Sequence, residues 1–192
     1  MKKAWLSAIL LGLTATAAQA TPITYTAVLS GANENPAIIT QGTGFASVIF
    51  DATTHLLTVD VTFSDLTGTT TASHIHCCAV APTNAGVATT TPTFANFPLG
   101  VTSGTYHNTL DLTMASSYNP AFVTAQGGLA QAEAALTSGL GTGMTYLNVH
   151  SSFAPGGEIR GVLNAASVPE PATLTLLGTA LVGLARRRRV SA

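Results

Sequence analysis

The run GTGFASVIFDATTHLLTVDVTF (Gly42–Phe63) decides how the chain folds. In its second half Leu57, Val59, Val61 and Phe63 alternate with polar neighbours. Successive side chains of a strand point to opposite faces, so the pattern predicts a strand with one buried face. The first half, GTGFASVIF (Gly42–Phe50), pairs with Leu56–Phe63 across the short connection Asp51–His55, which predicts an antiparallel hairpin.

The same period of two extends outward. Ile23, Tyr25, Ala27 and Leu29 alternate ahead of the polar turn cluster GANENP (Gly31–Pro36), and further strands are predicted at Ala72–Cys78, Gly104–Leu112, Met144–His150 and Glu158–Leu163. The interval Ala79–Leu99, rich in Thr, Pro, Ala and Gly, reads as loop with one short strand near Val87. Ser117–Leu140 breaks the rhythm. Tyr118-Asn119-Pro120 places a cap before a proline at a first helical position, and GLAQAEAALTSGLG carries apolar residues at 129, 132, 136 and 140, so a short helix and one of about three turns are predicted. Short antiparallel strands in a single body predict an all-β fold, a two-sheet antiparallel β-sandwich or a flattened Greek-key barrel, with one or two short inserted helices.

Both ends read as processing segments. Residues 1–20 have a basic start (Lys2, Lys3), an apolar stretch through Leu13 and a small-residue cleavage site ending at Ala20, the pattern of a secretory signal peptide cut by signal peptidase. Residues 168–192 carry Pro169-Glu170-Pro171, the apolar run ATLTLLGTALVGLA (Ala172–Ala185) and the arginines Arg186, Arg187, Arg188 and Arg189. A fourteen-residue helix would span about 21 Å against a hydrocarbon core of about 30 Å. The arginines would hold its end on the cytoplasmic side, leaving residues 21–167 outside. This three-part tail resembles the PEP-CTERM sorting signal of Gram-negative bacteria. The resemblance implies transient membrane insertion of the C-terminal helix, processing by an exosortase, and delivery to the cell surface or an exopolysaccharide matrix.

Only 8% of the chain is charged. Between Thr21 and Ser167 a single cation, Arg160, faces seven acids, leaving this body at −6. No basic patch can be assembled from it, which argues against nucleic acid as a partner.

Chemistry is concentrated in TASHIHCCAV (Thr71–Val80). If Ile75 points to the core, His74 and His76 take the opposite face, with Cys78 at the same parity; the same parity in MTYLNVHS gives Leu147 and Val149 to the core and Tyr146, Asn148 and His150 to the other side. Were the two strands neighbours, three imidazoles would converge, with His74, His76, His150 and Cys78 as candidate ligands for copper or zinc. The competing reading has each imidazole bonded to a nearby carbonyl or hydroxyl and nothing more. His55 and His107 fall on exposed turns or strand faces.

Export places Cys77 and Cys78 in an oxidising compartment, where an even pair is normally a disulfide. Adjacent Cα atoms lie about 3.8 Å apart across a trans peptide, below the usual span of about 4.4–6.8 Å. A vicinal disulfide, a buried thiol at Cys77, a thiolate ligand at Cys78 and an intermolecular bridge all stay open. Glu158 and Arg160 flank Ile159 and read as a local ion pair. No nucleophile elbow, phosphate-cradling glycine loop or H-E-x-x-H helix is present in the sequence, which points away from an enzyme.

SGANENP (Ser30–Pro36), ASHIHCC (Ala72–Cys78), AEAAL (Ala132–Leu136) and YLNVHSSFAPGGEIRG (Tyr146–Gly161) together resemble the CHRD domain, named from chordin, over the whole body between leader and tail. The resemblance implies an immunoglobulin-like β-barrel or sandwich without a defined molecular function. Where many relatives carry glycine after His-Ile-His, this chain has Cys77-Cys78. The His-x-His and Val-His pairs also resemble copper–zinc superoxide dismutases, but His55 and His107 do not supply the remaining ligands at a matching spacing. The sequence therefore carries two functional expectations. One is a non-enzymatic, surface-delivered adhesion, extracellular-matrix or biofilm component; the other is an exported metal-binding or redox protein using His74, His76 and His150.

Overall fold

Nine strands, all paired antiparallel, form one continuous sheet in the computed structural model, which describes residues 20–167. The signal segment before Ala20 and the sorting tail lie outside the described residues. The decisive run forms its hairpin: β2 (Thr43–Asp51) and β3 (Leu56–Ser64) pair from Asp51↔Leu56 through Thr43↔Ser64. Its turn is closed by the Asp51 carboxylate, which accepts from the Thr53 and Thr54 amides.

The sheet runs β5 (Gly86–Val87), β4 (Thr70–Cys77), β7 (Thr145–Ser151), β8 (Ile159–Val162), β1 (Ile23–Ser30), β2, β3, β6 (Gly104–Asp111), and β9 (Asn164–Ala165) pairs with β1. It is curled into a half-barrel, the closer of the two all-β shapes expected. The two four-strand blocks meet at a narrow seam, where β8 and β1 share a single paired position, Ser30↔Arg160, and β9 adds Tyr25↔Ala165 and Thr26↔Asn164. A strand order in which β4 lies beside β7, far away in sequence, is what brings the histidine segments together.

Alternation fixes the core. Leu29, Val48, Val59, Ile75, Leu147 and Ile159 are all fully buried on the concave face. Full burial of each such side chain contributes about 1.5–3 kcal/mol. Two short helices close that face. In α1 (Pro120–Gln126) the Asn119 side chain accepts from the Ala121 amide and Pro120 occupies the first turn, as the sequence predicts. In α2 (Leu129–Gly141) the buried residues are Ala132, Leu136, Gly139 and Leu140. Phe94, from the long loop after β5, fills the remaining space.

Candidate metal centre

Cross-strand register sets the centre. In the β4–β7 ladder His74 lies opposite Asn148, His76 opposite Tyr146 and His150 opposite Ala72. Residues opposite one another share a face, so the three imidazoles stand together on the side of the sheet away from Ile75 and Leu147. The methyl side chain of Ala72 leaves room for His150 to reach His74 diagonally: His74 Nδ1 and His150 Nε2 are 3.3 Å apart. One ring nitrogen from each histidine lies within 4.8 Å of those from the other two.

Strand parity puts these side chains on the face opposite the core, where a strand ordinarily meets solvent. Instead His74, His76 and His150 are 6%, 7% and 9% exposed, because loops on the convex face fold over them. Those loops supply one carbonyl to each ring: His74 Nε2–H donates to Pro92 (2.7 Å), His76 Nδ1–H to Ala85 (2.9 Å) and His150 Nδ1–H to Pro155 (2.9 Å). These bonds fix the tautomers. The proton of each neutral ring sits on the nitrogen bonded to its carbonyl, so Nδ1 of His74 and Nε2 of His76 and His150 are left as lone-pair donors. His76 Nε2 is buried without a hydrogen-bond partner. Burial pushes His74 and His76 down to about 4, against the opposing pull of their carbonyl acceptors, and pushes His150 down as well.

The surroundings form a layered stack that sequence reasoning did not reach. The Tyr146 ring lies 4.7 Å from His76 at 7° between planes, and the Arg160 guanidinium covers its other face at 4.6 Å. Arg160 donates to Asn33 O, Asn84 Oδ1 and Pro82 O and lies 3.7 Å from the Glu34 carboxylate. Burial pushes Glu34 up to about 7, opposed by Arg160 and by Asn148. Parity already gives Tyr146 and Asn148 to the histidine face, but no spacing ties Glu34 of the GANENP turn to Arg160, which is 126 residues away.

Two readings of local chemistry change. Glu158 does not pair with Arg160. β8 starts only at Ile159, and the preceding Gly157 has φ of 134°, a conformation L side chains rarely adopt, so strand parity does not extend back to Glu158. The fully buried Glu158 carboxylate instead accepts from Thr40 Oγ1 (2.5 Å), the amides of Thr67 (2.6 Å) and Gly68 (3.2 Å), and the Ser151 hydroxyl. Cys78, the fourth candidate ligand, lies just past β4 and is joined to that strand's last residue, Cys77, in a vicinal disulfide. Both sulfurs lie against the Ala135 carbonyl of α2, at 3.7 and 3.5 Å, so the set that converges is the three imidazoles. His55 and His107 are exposed on strand β3's side of the molecule, paired with Glu133 and Asp60 at 2.6 Å each.

The sequence pattern of the CHRD domain matches residues 25–163, and that of the PEP-CTERM protein-sorting motif matches residues 167–189. No curated protein and no solved structure matches the chain.

Proposed function

The chain belongs to the CHRD domain family and ends in a PEP-CTERM sorting motif, which implies export and exosortase processing, and on that premise we propose a surface-delivered metal-binding domain. His74, His76 and His150 would hold a copper or zinc ion through Nδ1, Nε2 and Nε2. The observation that carries this reading is the arrangement of protons: every ring gives its N–H to a backbone carbonyl, which leaves the second nitrogen of each as a lone-pair donor, that of His76 buried without a partner and those of His74 and His150 3.3 Å apart. Facing lone pairs repel and are costly to bury unsatisfied, whereas a cation between them satisfies all three. Metal-ligating histidines characteristically donate their second N–H to such an acceptor. For ligands about 2.0–2.1 Å from a tetrahedral zinc, neighbouring nitrogens stand about 3.4 Å apart, against 3.3 Å between His74 and His150.

Metal analysis of the purified full chain tests this. The wild type should carry one copper or zinc per chain, and a variant with His76→Ala and His150→Ala should carry none. Absence of stoichiometric metal from the wild type after incubation with either ion would sink the reading.

A second reading, an adhesion or matrix role, draws on the outer face of β2, β3 and β6. Thr58 and Thr109 stand paired there at 3.0 Å, Phe45 is 46% exposed, and Val28 on β1 is 68% exposed beside it. Such a face suits a hydroxyl-rich polymer, an exopolysaccharide included. Deletion of the gene should then reduce surface attachment or alter matrix composition; unchanged attachment and matrix would remove its support.

A further inference from the structure

We infer that the three-histidine centre is built for a monovalent, three-coordinate ion, Cu(I), in preference to Zn(II). This deepens the metal-binding reading and rests on it. Charge supplies the first argument. All three donors are neutral imidazoles, and no carboxylate or thiolate belongs to the converging set. Cys78, the residue that could have brought a negative sulfur, is committed to Cys77, and Glu158 is committed to Thr40, Ser151 and two backbone amides. The charged group layered onto the centre is a cation: Arg160 over Tyr146, and Tyr146 over His76. The nearby carboxylate, Glu34, lies against Arg160 itself at 3.7 Å. The Born cost of taking an ion out of water grows with the square of its charge, so a divalent ion costs about four times a monovalent one here, with no anionic ligand to offset the difference.

Coordination number supplies the second. Structural zinc sites are almost always four-coordinate, and catalytic ones keep a fourth position open to water. Here the imidazoles are at most 9% exposed. The adjacent cavity of about 570 Å³ is lined by Tyr146, Arg160 and Glu34, and the three histidines are not among its lining residues. With the Cys77–Cys78 disulfide directed to α2, no thiolate or carboxylate joins the converging set; the remaining protein donor beside it is the neutral Asn148 Oδ1, opposite His74 and buried without a partner. Three nitrogens about 2.0 Å from a trigonal ion would stand about 3.5 Å apart, within the 4.8 Å span that these already occupy. Cu(I), a d¹⁰ ion with no demand for a fourth ligand, suits such a donor set.

The test titrates the metal-free full chain in detergent, under anaerobic conditions, with Cu(I) held by bicinchoninate, and in parallel with Zn(II) held by a chromophoric chelator. One Cu(I) per chain is expected, with Zn(II) bound at least ~100-fold more weakly. Zinc binding as tight as Cu(I) overturns this inference and leaves the metal-binding reading standing; failure of both ions to bind overturns both. X-ray absorption on the copper-loaded wild type needs no variant and supplies an independent readout. Three nitrogen neighbours are expected, and a fourth oxygen or sulfur neighbour contradicts a three-coordinate site.

Discussion

At the scale of single residues, the centre and its flank carry opposing protonation costs. His74 and His76 titrate at about 4 instead of 6.5, and His150 is lowered too, so the unfolded chain binds protons there that the folded chain refuses. Stability from this source is complete above pH 6.5 and is lost as pH falls through about 4. Glu34 is raised to about 7, so its contribution has the opposite sign, present below 4.5 and lost as pH rises through about 7. Three groups outweigh one. The metal-free protein should lose stability steadily on acidification from pH 6.5 to 4, and Glu34→Gln, which removes the opposing group, should make that loss steeper; denaturant midpoints measured across this range check both, and a flat or inverted profile contradicts the assignment. Glu158 is a separate case. Burial raises its carboxyl, but the hydrogen bonds from Ser151, Thr40 and the Thr67 and Gly68 amides outweigh this and hold it below its ordinary value. Glu158→Gln replaces an acceptor of four bonds by a group with a donor end, and should cost about 1.5–3 kcal/mol in a urea titration.

Among the elements, α2 shows how local sequence and tertiary contact diverge. Its apolar spacing is legible as a helix, and Leu136→Ala should cost about 2–5 kcal/mol because Leu136 is fully buried. Helix propensity alone would favour Gly139→Ala by about 1 kcal/mol. A Cβ at Gly139, however, would stand 2.7 Å from Cys77 Sγ and 2.9 Å from Thr145 Cγ2, so the substitution should instead destabilise by about 1–3 kcal/mol of overpacking. A thermal melt with a higher midpoint for this variant would show that α2 does not seat against the disulfide. The strands were readable for a simple reason: Leu57, Val59, Val61 and Phe63, or Tyr25, Ala27 and Leu29, each bury one parity, and the period survives in the fold. Where parity is interrupted, at Gly157 before Glu158 and at Cys77–Cys78 after β4, the sequence left the geometry open or pointed to the wrong partner.

For the whole molecule, the all-β class, the inserted helices and the three candidate nitrogen ligands follow from periodicity, but their convergence depends on β4 and β7 being neighbours, which no local pattern specifies. Nor does any pattern foretell that loops ending in Ala85, Pro92 and Pro155 fold over the imidazoles and fix where their protons sit. Among the described residues no helix is long and apolar enough to cross a membrane, and the sorting motif matched at residues 167–189 implies membrane-anchored processing before surface display. We propose that this domain is organised around a metal held by His74, His76 and His150. Anomalous diffraction from crystals of the copper-loaded protein, collected on both sides of the copper absorption edge, tests it most directly. One anomalous peak is expected about 2 Å from His74 Nδ1, His76 Nε2 and His150 Nε2; a fully loaded crystal with no peak between these rings, or with its copper at other residues, would rule out a metal at this centre.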